Sequence, residues 1–285
     1  MSRSLRTALL KLESNKELAA SQFTPAQRKA LDAFGQQTGA LECIRRGSGY
    51  IYKISQPQLF ATHLRAFAPE TATPQANDIP QRAQHIAQTR SSKAGKHQHR
   101  YHYPIIKSIG PGVAWHNPAR NMHLPLGQLT KDYGATTIQI DVQDQWRSEQ
   151  PLWLVENQAL FDRHDWLPKG LAATLIFFEG YLDGRLLAWL AQQPRSPQVV
   201  FFSDYDGVGL VNFARLHALL GEQCEFWLMP NWQNKLQQYG NRKLWRKTLQ
   251  QFRSSIEYLP PYLQPLTTQM QRSGLALEQE AVWLE

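Results

Sequence analysis

Gln198-Val-Val-Phe-Phe-Ser-Asp-Tyr-Asp-Gly-Val-Gly-Leu210 decides how the rest of the chain reads. Val199 to Phe202 are consecutive β-branched and aromatic residues, the pattern of a strand buried on both faces in a parallel sheet. Asp204 and Asp206 stand at its C-terminal end, Gly207 and Gly209 follow, and Leu210 to Leu220 has the periodicity of an amphipathic helix. In open α/β sheets, ligands collect outside the carboxyl ends of strands. Two carboxylates there offer hard oxygen ligands for Mg²⁺ or Mn²⁺.

Upstream the pattern recurs. Leu152 to Val155 is a second short apolar run, with Glu156 at its C-terminal end and a helix-compatible segment after it. Ala172 to Phe178 is a third, ending in Glu179-Gly180, and Asp183 to Gln192 reads as the helix that leads back to the Asp-x-Asp strand. The expected fold class is therefore α/β, a parallel sheet flanked by helices over residues 151–285.

The order strand–Glu, helix, strand–Gly, helix, strand–Asp-x-Asp resembles the Toprim domain of topoisomerases, primases and some nucleases. That resemblance implies that Glu156, Asp204 and Asp206 face one another, hold one or two Mg²⁺ (or Mn²⁺) ions, and are catalytic. Many Toprim domains place Gly after the Glu, whereas this chain has Glu156-Asn157. With the ending Gly274-Leu-Ala-Leu-Glu-Gln-Glu280 and the Gly after Asp-x-Asp, it is similar to the nuclease subunit of Wadjet-type plasmid-defence systems. More distantly it resembles the A subunit of type IIB topoisomerases. The resemblance implies cleavage of double-stranded DNA by an endonuclease working beside an SMC ATPase and kleisin-type subunits. Glu280, or Glu278, recurs in the matched ending as a further carboxylate, with Glu280 expected among the metal ligands. Glu179 and Asp183 are weaker candidates. Carboxylates converging without a cation repel and take up protons. Two metals about 4 Å apart activate water and stabilise the leaving oxygen in phosphodiester hydrolysis.

The formal net charge of +8 over 285 residues favours a polyanionic partner. Its two cysteines, Cys43 and Cys224, lie in separate segments, which suits a reducing compartment and argues against a disulfide framework. No apolar run approaches roughly 18 residues and no signal-peptide core is present, so a soluble cytoplasmic protein without a membrane partner is expected.

Residues 1–68 read as a winged-helix-like module. A leucine stripe runs through Arg3 to Ala20, Thr24-Pro25 opens a helix to about Gln37, and Leu41–Arg46 and Tyr50–Ile54 flank Gly47-Ser48-Gly49 as a hairpin. A helix from Pro57 to Phe67 follows. The wing carries Arg45, Arg46 and Lys53, and binding of DNA or of a partner protein is equally open. Residues 69–150 read as a basic linker and a connecting β segment whose clearest strand is Thr136 to Val142.

From Ile79 to Lys131 there is no Asp or Glu, while Arg82, Arg90, Lys93, Lys96, Arg100, Lys107, Arg120 and Lys131 are interleaved with Tyr101, Tyr103 and Trp115. Lys and Arg contacts to phosphates dominate nucleic-acid affinity and aromatics stack on bases, so 82–107 is read as a DNA contact, with Arg90, Lys93, Lys96, Arg100 and Lys107 its core. His97, His99 and His102 lack the carboxylate or thiolate neighbours that a zinc site needs. Past an expected strand at Phe226 to Met229, a second acid-free stretch holds Lys235, Arg242, Lys243, Arg246, Lys247 and Arg253 among Trp232, Tyr239 and Trp245. Arg242, Lys243, Arg246 and Lys247 are the second expected DNA surface.

Three alternatives stay open: a type IIB topoisomerase-like subunit, for which Tyr50 and Tyr52 lack the usual context; a HAD-type phosphatase with Asp204 as nucleophile; and a non-catalytic DNA-binding adaptor. A double-strand break by a single-site subunit predicts a homodimer.

Overall fold

The computed structural model describes residues 3–67, 79–89, 93 and 99–285. The chain divides into two compact units, Met1–Gln98 and His99–Glu285.

In the first unit, helix α1 (Arg3–Asn15) is followed by strand β1 (Glu17–Ala19), helix α2 (Pro25–Thr38), the hairpin strands β2 (Leu41–Arg46) and β3 (Gly49–Ile54), and helices α3 (Pro57–Phe67) and α4 (Gln81–Thr89). The expected first helix stops five residues early, because Lys16 takes a φ of 60° and Glu17–Ala19 pairs antiparallel with β3. Helix α2 starts where its sequence dictates. Thr24 Oγ1 accepts from Gln27 N and Gln27 Oε1 accepts from Thr24 N, while Gly39 closes the helix at φ 66°. The sheet order is β1-β3-β2. Leu9, Leu12, Leu31, Phe34 and Phe60 fill the core beneath it. Part of the expected linker is the helix α4; residues 68–78 lie outside the described residues.

The second unit contains β4 (Ile105–Ile109), β5 (Trp115–Asn117), β6 (Met122–Leu124), α5 (Leu126–Tyr133), β7 (Thr136–Thr137), β8 (Leu152–Val155), α6 (Gln158–Asp162), β9 (Ala173–Phe177), α7 (Gly184–Gln192), β10 (Val199–Phe202), α8 (Gly207–Leu220), β11 (Cys224–Phe226), α9 (Trp232–Tyr239), α10 (Arg242–Ser255) and α11 (Gln264–Ser273). Its six-stranded sheet has the order β11-β10-β8-β9-β4-β7. β11, β10, β8 and β9 are parallel, whereas β4 runs antiparallel to β9 and β7 antiparallel to β4. The α/β class stands, with a mixed rather than purely parallel sheet.

The central strands are apolar because both faces are covered. Phe201 packs on Phe178, Phe213 and Phe226, and its neighbour Phe202 packs on the opposite side against Trp166 and Trp227. Both are fully buried, which stabilises the fold by about 2–3 kcal/mol each.

The segment before residue 151 is more than a connector. β4 supplies a full strand partner to β9, and Trp115, Ile138, Ile140 and Trp146 join the same core. Arg195, with a fully buried side chain, donates to Asp144 O at 2.6 Å and Asp144 Oδ1 at 3.3 Å and lies over Trp189, whose indole N–H also donates to Asp144 Oδ1. That buried pair fastens 142–146 to α7, and losing one partner of such a pair costs about 3–5 kcal/mol. The expected strand Thr136–Val142 shrinks to Thr136–Thr137 plus a single bridge between Ile140 and His102. The strand expected at Phe226–Met229 lies earlier, at Cys224–Phe226. Among the described residues no helix is long and apolar enough to cross a membrane.

Candidate carboxylate site

β8 and β10 are neighbours in register, and their last pair is Val155 with Phe202. Directly beyond that pair the chains leave the ladder, and Glu156 and Asp204 are the residues left facing one another. Asp204 N donates to Glu156 Oε2 at 3.3 Å, and Asn157 Nδ2 lies 3.5 Å from Asp204 Oδ1. Asp206, buried, caps α8: its Oδ1 accepts from Gly209 N at 2.8 Å.

The glycines of the motif serve close approach. A Cβ on Gly207 would collide with Thr248 O and Phe252 N of α10, and one on Gly209 with Asp204 O. Gly207 N donates to Thr248 Oγ1 at 3.1 Å. The bare backbone at Gly207 thus lets α10 close against the start of α8.

A third element completes the site. Residues 276–283 return as an extended segment, then a 3-10 turn, Gln279–Trp283. Tyr205 and Leu277 exchange backbone bonds of 2.7 and 3.0 Å. Gln279 N then donates to Asp204 Oδ1 at 2.8 Å. Lys235, counted among surface cations in the sequence, is buried and donates to Ala281 O at 3.0 Å, Val282 O at 3.1 Å and Leu284 O.

The electrostatics follow from burial and like charge. Burial first, then Asp204, Asp206 and Glu280, push the Glu156 carboxyl up to about 8. Asp204 rises to about 7 through burial, with Asp206, Glu280 and Glu278 adding and the Gln279 N–H opposing. Asp206 is also raised by burial, against the bonds from the first turn of α8 and the charge of Lys247. Glu280 and Glu278 are therefore within electrostatic reach of the centre.

These oxygens are the hard donors that Mg²⁺ or Mn²⁺ takes, and a cation would discharge their repulsion. Among the described residues, however, no group of three or more His, Cys, Asp or Glu side chains is already gathered as a ligand set. Asp206 is engaged in capping α8 and Glu278 is exposed. The donor chemistry fits a divalent cation; Glu156 and Asp204 could hold it, and Asp206 and Glu280 are the further carboxylates within electrostatic reach. Glu179 is exposed, and Asp183 caps α7 and pairs with Arg185 at 2.6 Å, so neither joins the cluster.

Arg242, Lys243, Arg246 and Lys247 are exposed on α10, whose other face buries Trp245, Thr248, Phe252 and Ser255. Trp232, Trp245 and Trp115 are core residues, which removes them as stacking platforms. Lys107 also leaves the expected DNA surface. It is buried in β4, donates to Asp162 O at 3.2 Å and lies over the Phe161 ring. Arg100 is exposed but paired with Asp141 at 2.7 Å, and Lys93 is exposed. Arg90, Lys96 and His97 lie outside the described residues.

Residues 121–284 match the family described as Domain of unknown function (DUF7281), which is more than half of the chain. The chain belongs to the DUF7281 family. The DUF7281 match spans Glu156, Asp204, Asp206, α10 and Glu280, and begins after β4. No curated protein is matched. In this DUF7281 domain Gln279 joins the site through its bonds to Phe202 O and Asn157 N, which no local feature of the sequence marks.

Proposed function

We propose that the second unit is a metal-dependent endodeoxyribonuclease domain of the Toprim type. The observation that carries this reading is the pairing of two half-buried carboxylates, Glu156 and Asp204, at the carboxyl ends of adjacent parallel strands, with a basic helix packed beside them. The chain order supports it: β8–Glu156, α6, β9, α7, β10–Asp204/Asp206, α8 is the succession that the Toprim resemblance calls for.

A bound Mg²⁺ or Mn²⁺, one ion or two, supplies a Lewis acid that polarises the scissile phosphate and lowers the pKa of its water. Glu156 and Asp204 would hold it; burial first and the neighbouring acids second raise both carboxyls, and a cation would relieve the part that is repulsion. Exposed Arg242, Lys243, Arg246 and Lys247 neutralise backbone phosphates of the duplex. The Lys247 charge reaches Asp206, which supports a placement of α10-held phosphates near the carboxylates.

In the first unit, helix, strand, helix, hairpin and helix fit a winged-helix-like module whose hairpin carries exposed Arg45, Arg46 and Lys53, with Arg46 paired to Glu17 at 2.7 Å. The Wadjet-type resemblance adds an SMC ATPase and kleisin-type subunits as partners, and a homodimer as the cleaving state. The test is cleavage of supercoiled plasmid with Mn²⁺ or Mg²⁺ by wild type, Glu156→Ala and Asp204→Ala. Nicked or linear product from wild type alone is expected. Equal cleavage by all three proteins refutes the assignment of these residues.

A further inference from the structure

We propose that Gln279 is the positioning residue that sets how Glu156 and Asp204 face each other, its amide serving as a bracket between the ends of β8 and β10. This rests on the carboxylate centre being a cation site.

The strand ladder holds the two chains together only as far as Val155 and Phe202. Beyond it, two mutually repelling carboxylates would drive the strand ends apart. The next link is a side chain. Gln279 Nε2 donates to Phe202 O at 2.5 Å, and Gln279 Oε1 accepts from Asn157 N at 2.9 Å. A primary amide presents the same donor and acceptor as a peptide group, so it continues the ladder for one rung between strands that have separated. Its own backbone N–H donates to Asp204 Oδ1 at 2.8 Å. One residue therefore fixes the main chain on both sides of the pair and one of the reactive oxygens.

The chemistry singles out glutamine. The side chain is fully buried, so each lost bond leaves a buried polar group unpaired. An ionised Glu would set an acceptor against Phe202 O and add a negative charge to the cluster. Asn is one methylene too short to span both partners, and Met spans them with no polar atom to offer. The bracket is itself held from behind: the Tyr205–Leu277 bridge fixes the segment before it, and Lys235 grips the carbonyls of Ala281, Val282 and Leu284 after it.

The test measures Mn²⁺ affinity of the full chain by electron paramagnetic resonance for wild type, Gln279→Met and Gln279→Asn, with folding followed by circular dichroism. Supporting groups around metal ligands typically change affinity by about 10- to 100-fold, and that loss is expected in both variants at temperatures where they are folded. A purely structural role would lower Tm and leave the affinity of the folded protein unchanged. Wild type that binds no Mn²⁺ overturns the cation-site reading and this inference together. Wild-type binding with folded variants within twofold overturns the bracket alone. If neither variant folds, hydrogen exchange in wild type decides. Saturating Mg²⁺ should slow exchange of the Asn157 and Gln279 amides about tenfold, and unchanged exchange there overturns the proposal.

Discussion

Residues 99–131 and 226–256 look alike as sequence, each acid-free, basic and studded with aromatics, yet they fold in opposite senses. In α10 the cations occupy one face, at 242, 243, 246, 247 and 253, and buried residues the other, at 245, 248 and 252. In the earlier stretch Lys107 sits in a strand among Ile105, Ile106 and Ile109, and its ammonium is turned onto a backbone carbonyl inside the protein. Charge composition reports how many cations a segment has. Periodicity reports where they point, because a helix with a clean polar face separates them from the core and a strand inserted between others cannot.

The contrast is broken most directly by removing the displayed charges. Substituting Arg242, Lys243, Arg246 and Lys247 together with Ala should lower affinity for duplex DNA by on the order of 10²- to 10³-fold at low salt and reduce the slope of log K against log salt by about 0.9 per lost contact. Fluorescence anisotropy across a salt series measures both. An unchanged slope would mean that α10 does not touch phosphate.

Detaching the display helix comes next. Gly207→Ala forces a Cβ into Thr248 O and Phe252 N, and the repacking should cost roughly 2–4 kcal/mol in urea unfolding.

Buried acids sharpen the comparison from the other sign. Glu156 is raised from 4.5 to about 8 in the fold, so between those values the folded state keeps a proton that the unfolded chain releases. Stability must then fall as pH rises through this window, the reverse of the usual salt-bridged carboxylate. In a chelator, Glu156→Gln should remove much of that slope and stabilise the protein at pH 8 by about 1–3 kcal/mol. Mg²⁺ should raise the Tm of wild type and leave the variant unmoved.

The smallest effect is expected at Lys107. Burial lowers its pKa, so the fold disfavours its charge, and Lys107→Met should change stability by no more than about 1 kcal/mol and DNA affinity by less than about twofold. A large loss of DNA binding would return this residue to the surface and erase the distinction between the two stretches.

The comparison also separates what was legible in the sequence from what was not. Leu152–Val155, Ala172–Phe178 and Val199–Phe202 announced themselves as short apolar runs with an acid or glycine soon after, and the structure assigns strands at all three, the middle one as Ala173–Phe177. β4 did not, since Lys107 and Ser108 interrupt its apolar character and its place in the sheet depends on pairing with a strand some 68 residues later, Ile109 with Ala173 at one end and Ile105 with Phe177 at the other. In the site, Glu156, Asp204 and Asp206 were readable from their position after strands. Gln279 was not, because its two partners lie 77 and 122 residues away and nothing local marks a glutamine as a rung of a sheet. The role of Lys235 was hidden for the same reason: its partners are carbonyls 46 to 49 residues on.

Asp206 caps α8 and lies beside the proposed cation site, so the two roles would compete. Its carboxylate accepts from Gly209 N and so terminates α8. A cation that drew Oδ1 itself, rather than the second carboxylate oxygen, away from Gly209 would remove a cap worth about 1 kcal/mol, or roughly fivefold in affinity. In that case alone the Gly209 amide would exchange faster with the ion bound, which makes the first turn of α8 a gauge of whether Asp206 gives up its cap.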